Sequence, residues 1–259
     1  MKLAALDVDG TLYDGTLGFA LLDELRAGGL VSSSAVRHVR DTMREHRRSG
    51  GRFRDTTGPA SDAYARAVEG VLPQDAVLAS CRIWPRVRHR LLACAVPLVE
   101  SLRGAGFTPV LLSGSPQEMI DRVATDLGIG HRFGMRLATG PGGRWTRRFT
   151  SLPAVPEAKA RLLCALAEGL GADLACAVAV GNSASDRAML AAVGHPVAFE
   201  PDEALLAVAR DSGWSITDRH TLVPLLSTPA FQSPPASRRA PAASPLRTHS
   251  ERNLHAHTS

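Results

Sequence analysis

The chain has 259 residues, 44% of them hydrophobic, and a formal net charge of +5. That length and hydrophobicity support a buried core, arranged as one large domain or a core domain plus a small one. No apolar run is long enough to span a bilayer, and the four apolar residues between Lys2 and Asp7 are too few for a secretory leader, so no membrane partner is expected.

Residues 3–9 predict a buried strand that carries Asp7 and Asp9 near its carboxyl end. Alternate strand side chains share a face, so the two acids point together only while the strand lasts. Gly10 permits the turn that must follow. Leu17, Leu21, Leu22 and Leu25 recur at helical spacing, and Gly28-Gly29 stops that helix. Ser32 to Ser34 offer N-caps to a basic helix that runs to Arg48, where Ser49-Gly50-Gly51 breaks it. Helices follow over 61–69 and 74–92, the second interrupted or kinked at Pro85. No clear strand occurs in this region.

Strand–helix alternation then begins. A helix over 96–104 precedes a buried strand over 109–112 and a helix over 117–127. A strand pair, 133–138 and 143–149, flanks Gly140-Pro141-Gly142. Next come a helix over 156–170, a strand over 176–180, a helix over 185–193, a strand over 195–199 and a helix over 202–211. A short strand and a last helix end near Leu226. This alternation implies a parallel sheet with helices on both faces. The early helices imply a cap above its carboxyl edge. After Thr228 the chain is rich in Pro, Ser, Ala, Arg and His, which predicts a disordered tail dispensable for folding and catalysis.

The tail's four arginines and one glutamate account for +3 of the net charge. Seven arginines between Arg37 and Arg54 face only Asp41 and Glu45. That stretch could attract an anionic substrate, or simply form a solvated helix face. Its single aromatic, Phe53, does not make an interleaved pattern, so no nucleic-acid partner is expected. Cys81, Cys94, Cys164 and Cys176 have no metal or redox spacing. They read as buried free thiols in a reducing, cytoplasmic compartment. Lys2 and Lys159 are the only lysines among 30 basic residues. An internal Lys in such a chain suggests a site that wants a compact ammonium.

Four segments carry chemistry. Asp7-Val-Asp9-Gly10-Thr11 sets two acids at the end of a strand, in the crevice where open α/β sheets bind ligands. They suit a nucleophile, an acid/base and a cation; the bland alternative is a surface turn. Leu111-Leu112-Ser113-Gly114-Ser115-Pro116 ends a strand where a hydroxyl and backbone N–H groups could hold phosphate, or where Ser115 merely caps the next helix. Lys159 opens a helix and could equally be a surface lysine. In the segment from Ala179 to Leu190, Gly181-Asn182-Ser183 is followed by Asp186, and Ser183 or Ser185 could serve only as an N-cap.

In this order, over residues 3–226, these segments resemble motifs I to IV of the haloacid dehalogenase (HAD) superfamily, in its phosphoserine-phosphatase-like subgroup. His195-Pro-Val-Ala-Phe-Glu-Pro-Asp202 and the later Gly213-Trp214 also resemble that subgroup. The resemblance implies a three-layer α/β/α Rossmann-like core with a parallel sheet, formed by residues 1–14 and 93–227. It implies a helical cap over 15–92, with 228–259 as tail. It also implies magnesium-dependent hydrolysis of a small phosphorylated metabolite through an aspartyl-phosphate. Asp7 would attack phosphorus, and Asp9 would act as acid and then base. Thr11, Ser113, Gly114 and Lys159 would hold the phosphoryl group. Mg2+ would bind Asp7, Asp9 and Asn182, with Asp186 in support.

Two positions depart from the family pattern. Asn182 replaces a metal-ligating acid, which should weaken magnesium binding. Thr16 replaces a glutamate that helps the subgroup recognise phosphoserine, which argues against that substrate. A phosphotransferase or mutase using the same intermediate remains open, as does a weakly active phosphometabolite-binding regulatory protein.

Overall fold

A computed structural model describes residues 1–48, 58–155, 157–228 and 231. Seven strands form one sheet in the order β4-β3-β2-β1-β5-β6-β7. They are β1 (Lys2–Leu6), β2 (Phe107–Pro116), β3 (His131–Thr139), β4 (Trp145–Ser151), β5 (Val178–Gly181), β6 (His195–Phe199) and β7 (Ser215–Thr217). Every pairing is parallel except β3 with β4. That exception is the expected hairpin, which turns near Gly142 at a φ of 73°.

Alternation along the strands builds two cores. Ala4 and Leu6 face one side, with Leu111, Val178, Val180 and Val197. Leu3 and Ala5 face the other, with Val110, Leu112, Ala179 and Ala198. Helices α5 (Ala95–Gly104), α6 (Gln117–Asp126) and α10 (Leu222–Leu226) supply apolar residues to the first layer. Helices α7 (Ala158–Leu170), α8 (Arg187–Ala191) and α9 (Glu203–Asp211) supply them to the second. The result is the three-layer α/β/α architecture expected.

Between β1 and α5 lie α1 (Leu17–Ala27), α2 (Ser33–Arg48), α3 (Pro59–Ala67) and α4 (Pro73–Val87). Helices α2 and α3 pack together, as do α1 and α4. The backbone at 70–71 also pairs with β4: Gly70 N donates to Trp145 O at 2.9 Å, and Trp145 N donates to Val71 O at 2.9 Å. The loop between α3 and α4 is therefore hydrogen-bonded to the hairpin.

Several boundaries shift. Strand β1 stops at Leu6, so Asp7 and Asp9 stand beyond it. Helix α4 runs through Pro85 and ends two residues later. Strand β2 continues to Pro116 through an irregularity after Leu112. The cysteines also differ from expectation: only Cys94 is buried, and Cys81 and Cys164 are exposed. Each residue turns a helix by ~100°, so the apolar neighbours of Cys81 and Cys164 in sequence lie on other faces. Phe231, expected in the tail, is buried and stacks 5.2 Å from the His195 ring. The rest of the expected tail, the break at 49–51 and the end of the basic stretch lie outside the described residues.

Candidate active site

The parallel register aligns Leu6 with Leu111 on one side and Val180 on the other. The carboxyl ends of β1, β2 and β5 therefore converge, at the crevice where open sheets bind ligands. Asp7 leaves β1 with its N–H on Val180 O at 3.0 Å. The turn after it uses Gly10 at a φ of +84°, where a side chain would be strained. Asp7 and Lys159 are buried together, and Lys159 Nζ donates to Asp7 Oδ1 at 2.5 Å. The Thr11 hydroxyl donates to Asp7 Oδ2 at 2.8 Å.

Lys159 also donates to Asp186 Oδ1 at 2.5 Å, so one ammonium serves two carboxylates. Burial would lower the Lys159 pKa, but Asp186 and Asp7 outweigh it and hold the ammonium above its ordinary value. Burial and then Asp186 push Asp7 up to about 7, against the pull of Lys159. The neighbouring Glu157 has a φ of 59°, a left-handed conformation unusual for a side-chain-bearing residue, at the entry to α7.

Asp9 is held from two elements. Leu17 N, at the start of α1, donates to Asp9 Oδ1 at 3.1 Å. The Ser115 hydroxyl donates to Asp9 Oδ2 at 2.6 Å and accepts from Gly18 N at 3.3 Å. Sequence reasoning missed this role and left Ser115 only as a possible helix cap. Its one signal was a second serine after Ser113-Gly114. The hydroxyl caps nothing on α6, whose N-cap position is Pro116. Ser113 Oγ instead accepts from Ser115 N at 3.1 Å.

Two further expected site residues are bonded to their neighbours. Thr11 is fully buried, and its hydroxyl orients Asp7. Asp186 is also fully buried. Its Oδ2 accepts from Asn182 N and Ser183 N, each at 3.0 Å, and from Ser183 Oγ at 3.2 Å. With Lys159 on Oδ1, Asp186 anchors the lysine and the turn.

A cavity of about 200 Å3 opens over this floor. Asp7, Asp9, Ser113, Gly114, Ser115 and Lys159 line it from the sheet side. Among the described residues, no three His, Cys, Asp or Glu side chains are grouped to hold a metal. The Asn182 amide lies against Gly10, where a Cβ would fall 2.1 Å from the amide nitrogen. Asn182 thus brings an amide oxygen near this turn, the donor type a hard cation takes, with one negative charge fewer than a carboxylate.

Residues 4–191 match the family model described as haloacid dehalogenase-like hydrolase. The chain belongs to this family. It is 30% identical over 211 residues to a phosphoserine phosphatase of Archaeoglobus fulgidus, covering 82% of this chain and 56% of that protein. It is 34% identical over 142 residues to the inhibition of morphological differentiation protein of Streptomyces azureus, covering 54% of this chain and 51% of that protein. The chain spans about half the length of these curated relatives. A Bordetella pertussis protein of unknown function shares the fold with a TM-score of 0.72 at 23% identity, over 84% of this chain and 98% of that one. A phosphoserine phosphatase solved as a phospho-aspartyl intermediate analogue shares it at 0.61 and 20% identity, over 84% and 93%. At these identities the two structures establish the fold.

Proposed function

We propose that this member of the family is a phosphatase that hydrolyses a small phosphomonoester. One observation carries the reading: two aspartates and a buried lysine share the floor of a cavity at the carboxyl ends of β1, β2 and β5. In the first step an Asp7 oxygen attacks phosphorus and the ester P–O bond breaks. Asp9 gives its proton to the departing alkoxide. Asp9 then takes a proton from water, which attacks the aspartyl-phosphate. The bond from phosphorus to Asp7 breaks, inorganic phosphate leaves, and the carboxylate returns. Thr11 holds Asp7 in line. Ser115 and Leu17 N aim Asp9. Lys159 neutralises phosphoryl charge, and Ser113 keeps its hydroxyl proton for a phosphoryl oxygen. Such transfer depends mainly on positioning and charge.

Magnesium, held by Asp7, the Asp9 backbone carbonyl and Asn182, would supply further positive charge to the phosphoryl oxygens. Residues 1–14 and 93–227 act as the core, and 15–92 as the cap that covers the cavity; the helices over the crevice support this division. Free cysteines, two of them exposed, support a reducing, cytoplasmic setting. The test is phosphate release from a panel of phosphomonoesters with and without magnesium. Turnover that magnesium raises supports the reading. Release from no ester under either condition refutes it.

A further inference from the structure

The cavity wall restricts what the leaving group can be. Among the described residues, its charged lining groups are Asp7, Asp9 and Lys159, all on the floor. The rest of the wall is apolar, built from Phe19, Val39, Met43, Ala60, Tyr64 and Met135. Thr16, Ser61, Ser183 and Ser185 add hydroxyls. Two arginines of α2, Arg40 and Arg44, are turned elsewhere. Arg40 pairs with Asp23 at 2.6 Å and stacks 4.7 Å from the Phe19 ring centre. Arg44 pairs with Asp41 at 2.8 Å. Neither lines the cavity.

An ammonium, carboxylate or second phosphate pressed against this wall would lose its hydration and gain no opposite charge. An alkyl or hydroxyl group would meet no such penalty. The volume of about 200 Å3 is below the roughly 300–1,000 Å3 of sites for drug-sized ligands.

Building on the phosphatase reading above, we propose that the leaving group is a small uncharged alcohol with an apolar body. Esters that carry an amino group, a carboxylate or a second phosphate are then poor substrates. The basic stretch was expected to favour a leaving group that is neutral or carries a second anion; the pairing of Arg40 and Arg44 favours the neutral one.

The experiment measures kcat/KM by phosphate release from the full chain at one magnesium concentration. The probes are butyl phosphate, phosphoserine, phosphoethanolamine and propanediol bisphosphate. Butyl phosphate should exceed each charged ester by about tenfold or more. A charged ester that equals or beats it overturns the inference and leaves the phosphatase reading standing. Turnover of no ester defeats the phosphatase reading and this inference with it. A second variant tests the wall directly. Ser61 lies in the first turn of α3, where an added acid is tolerated. Ser61→Asp should raise phosphoethanolamine relative to butyl phosphate by about tenfold. An unchanged ratio means wall charge does not read the leaving group, and the inference fails.

Discussion

Replacing Lys159 with methionine would strand two buried carboxylates. Lys159 Nζ sits 2.5 Å from both Asp7 and Asp186, and all three side chains are buried. Methionine keeps most of the length and volume, so little cavity opens. The loss is then electrostatic. Breaking a buried pair by removing one partner costs about 3–5 kcal/mol, and this cation serves two anions, so the upper part of that range is expected at pH 7. The sign with pH follows from Asp7. Its pKa is about 7 folded and about 3.9 unfolded. The native state therefore holds more protons across that window, and this group's contribution to stability falls as pH rises through it. Without Lys159, burial and Asp186 act unopposed, so the variant should lose stability more steeply with rising pH. At pH 4 Asp7 takes up a proton and the gap to wild type should shrink. Urea unfolding followed by circular dichroism, in a chelator and at several pH values, reads both effects. A variant within about 1 kcal/mol of wild type at pH 7, or a gap independent of pH, would refute the reasoning.

Three further outcomes are expected. Ser115→Ala removes the hydroxyl on Asp9 Oδ2; a lost hydrogen bond to a charged group costs about 1.5–3 kcal/mol, so kcat should fall at least about tenfold with KM little changed, and an unchanged kcat would show that Leu17 N alone orients Asp9. Phe231→Ala should destabilise by about 3 kcal/mol, because the ring is buried against His195; an unchanged Tm would mean the residue packs only passively. Asn182→Asp restores a negative oxygen donor and should lower the magnesium needed for half-maximal rate by about tenfold, and a higher requirement would place the cation elsewhere.

The fold was legible where pattern and chemistry coincide. The apolar run before Asp7, the strand before Ser113 and the strand before Gly181 each end at an abrupt change to polar residues, and all three became neighbours in the sheet. The rarity of lysine marked Lys159 before its partners were known. What stayed hidden depends on contacts across long sequence separations. Ser115 meets Asp9 from 106 residues away, and nothing local tells it from a cap. Thr11 and Asp186 were singled out by residue type, and only the fold shows that both are buried and bonded to their neighbours. Phe231 sits in a stretch whose composition reads as tail, and one aromatic ring is too weak a signal to show that the chain packs there. The apolar cavity wall draws one or two residues from each of four elements, α1, α2, α3 and β3, so no linear pattern announces it.

The claim that Asp7 is the nucleophile is tested most directly by rapid quenching of the full chain with an ester labelled in its phosphoryl group, followed by mapping of the label. The label should lie on the peptide that contains Asp7. It should vanish in a folded Asp7→Asn variant, with turnover reduced about a thousandfold or more. Label on another residue, or near-normal turnover by that variant, would contradict the account.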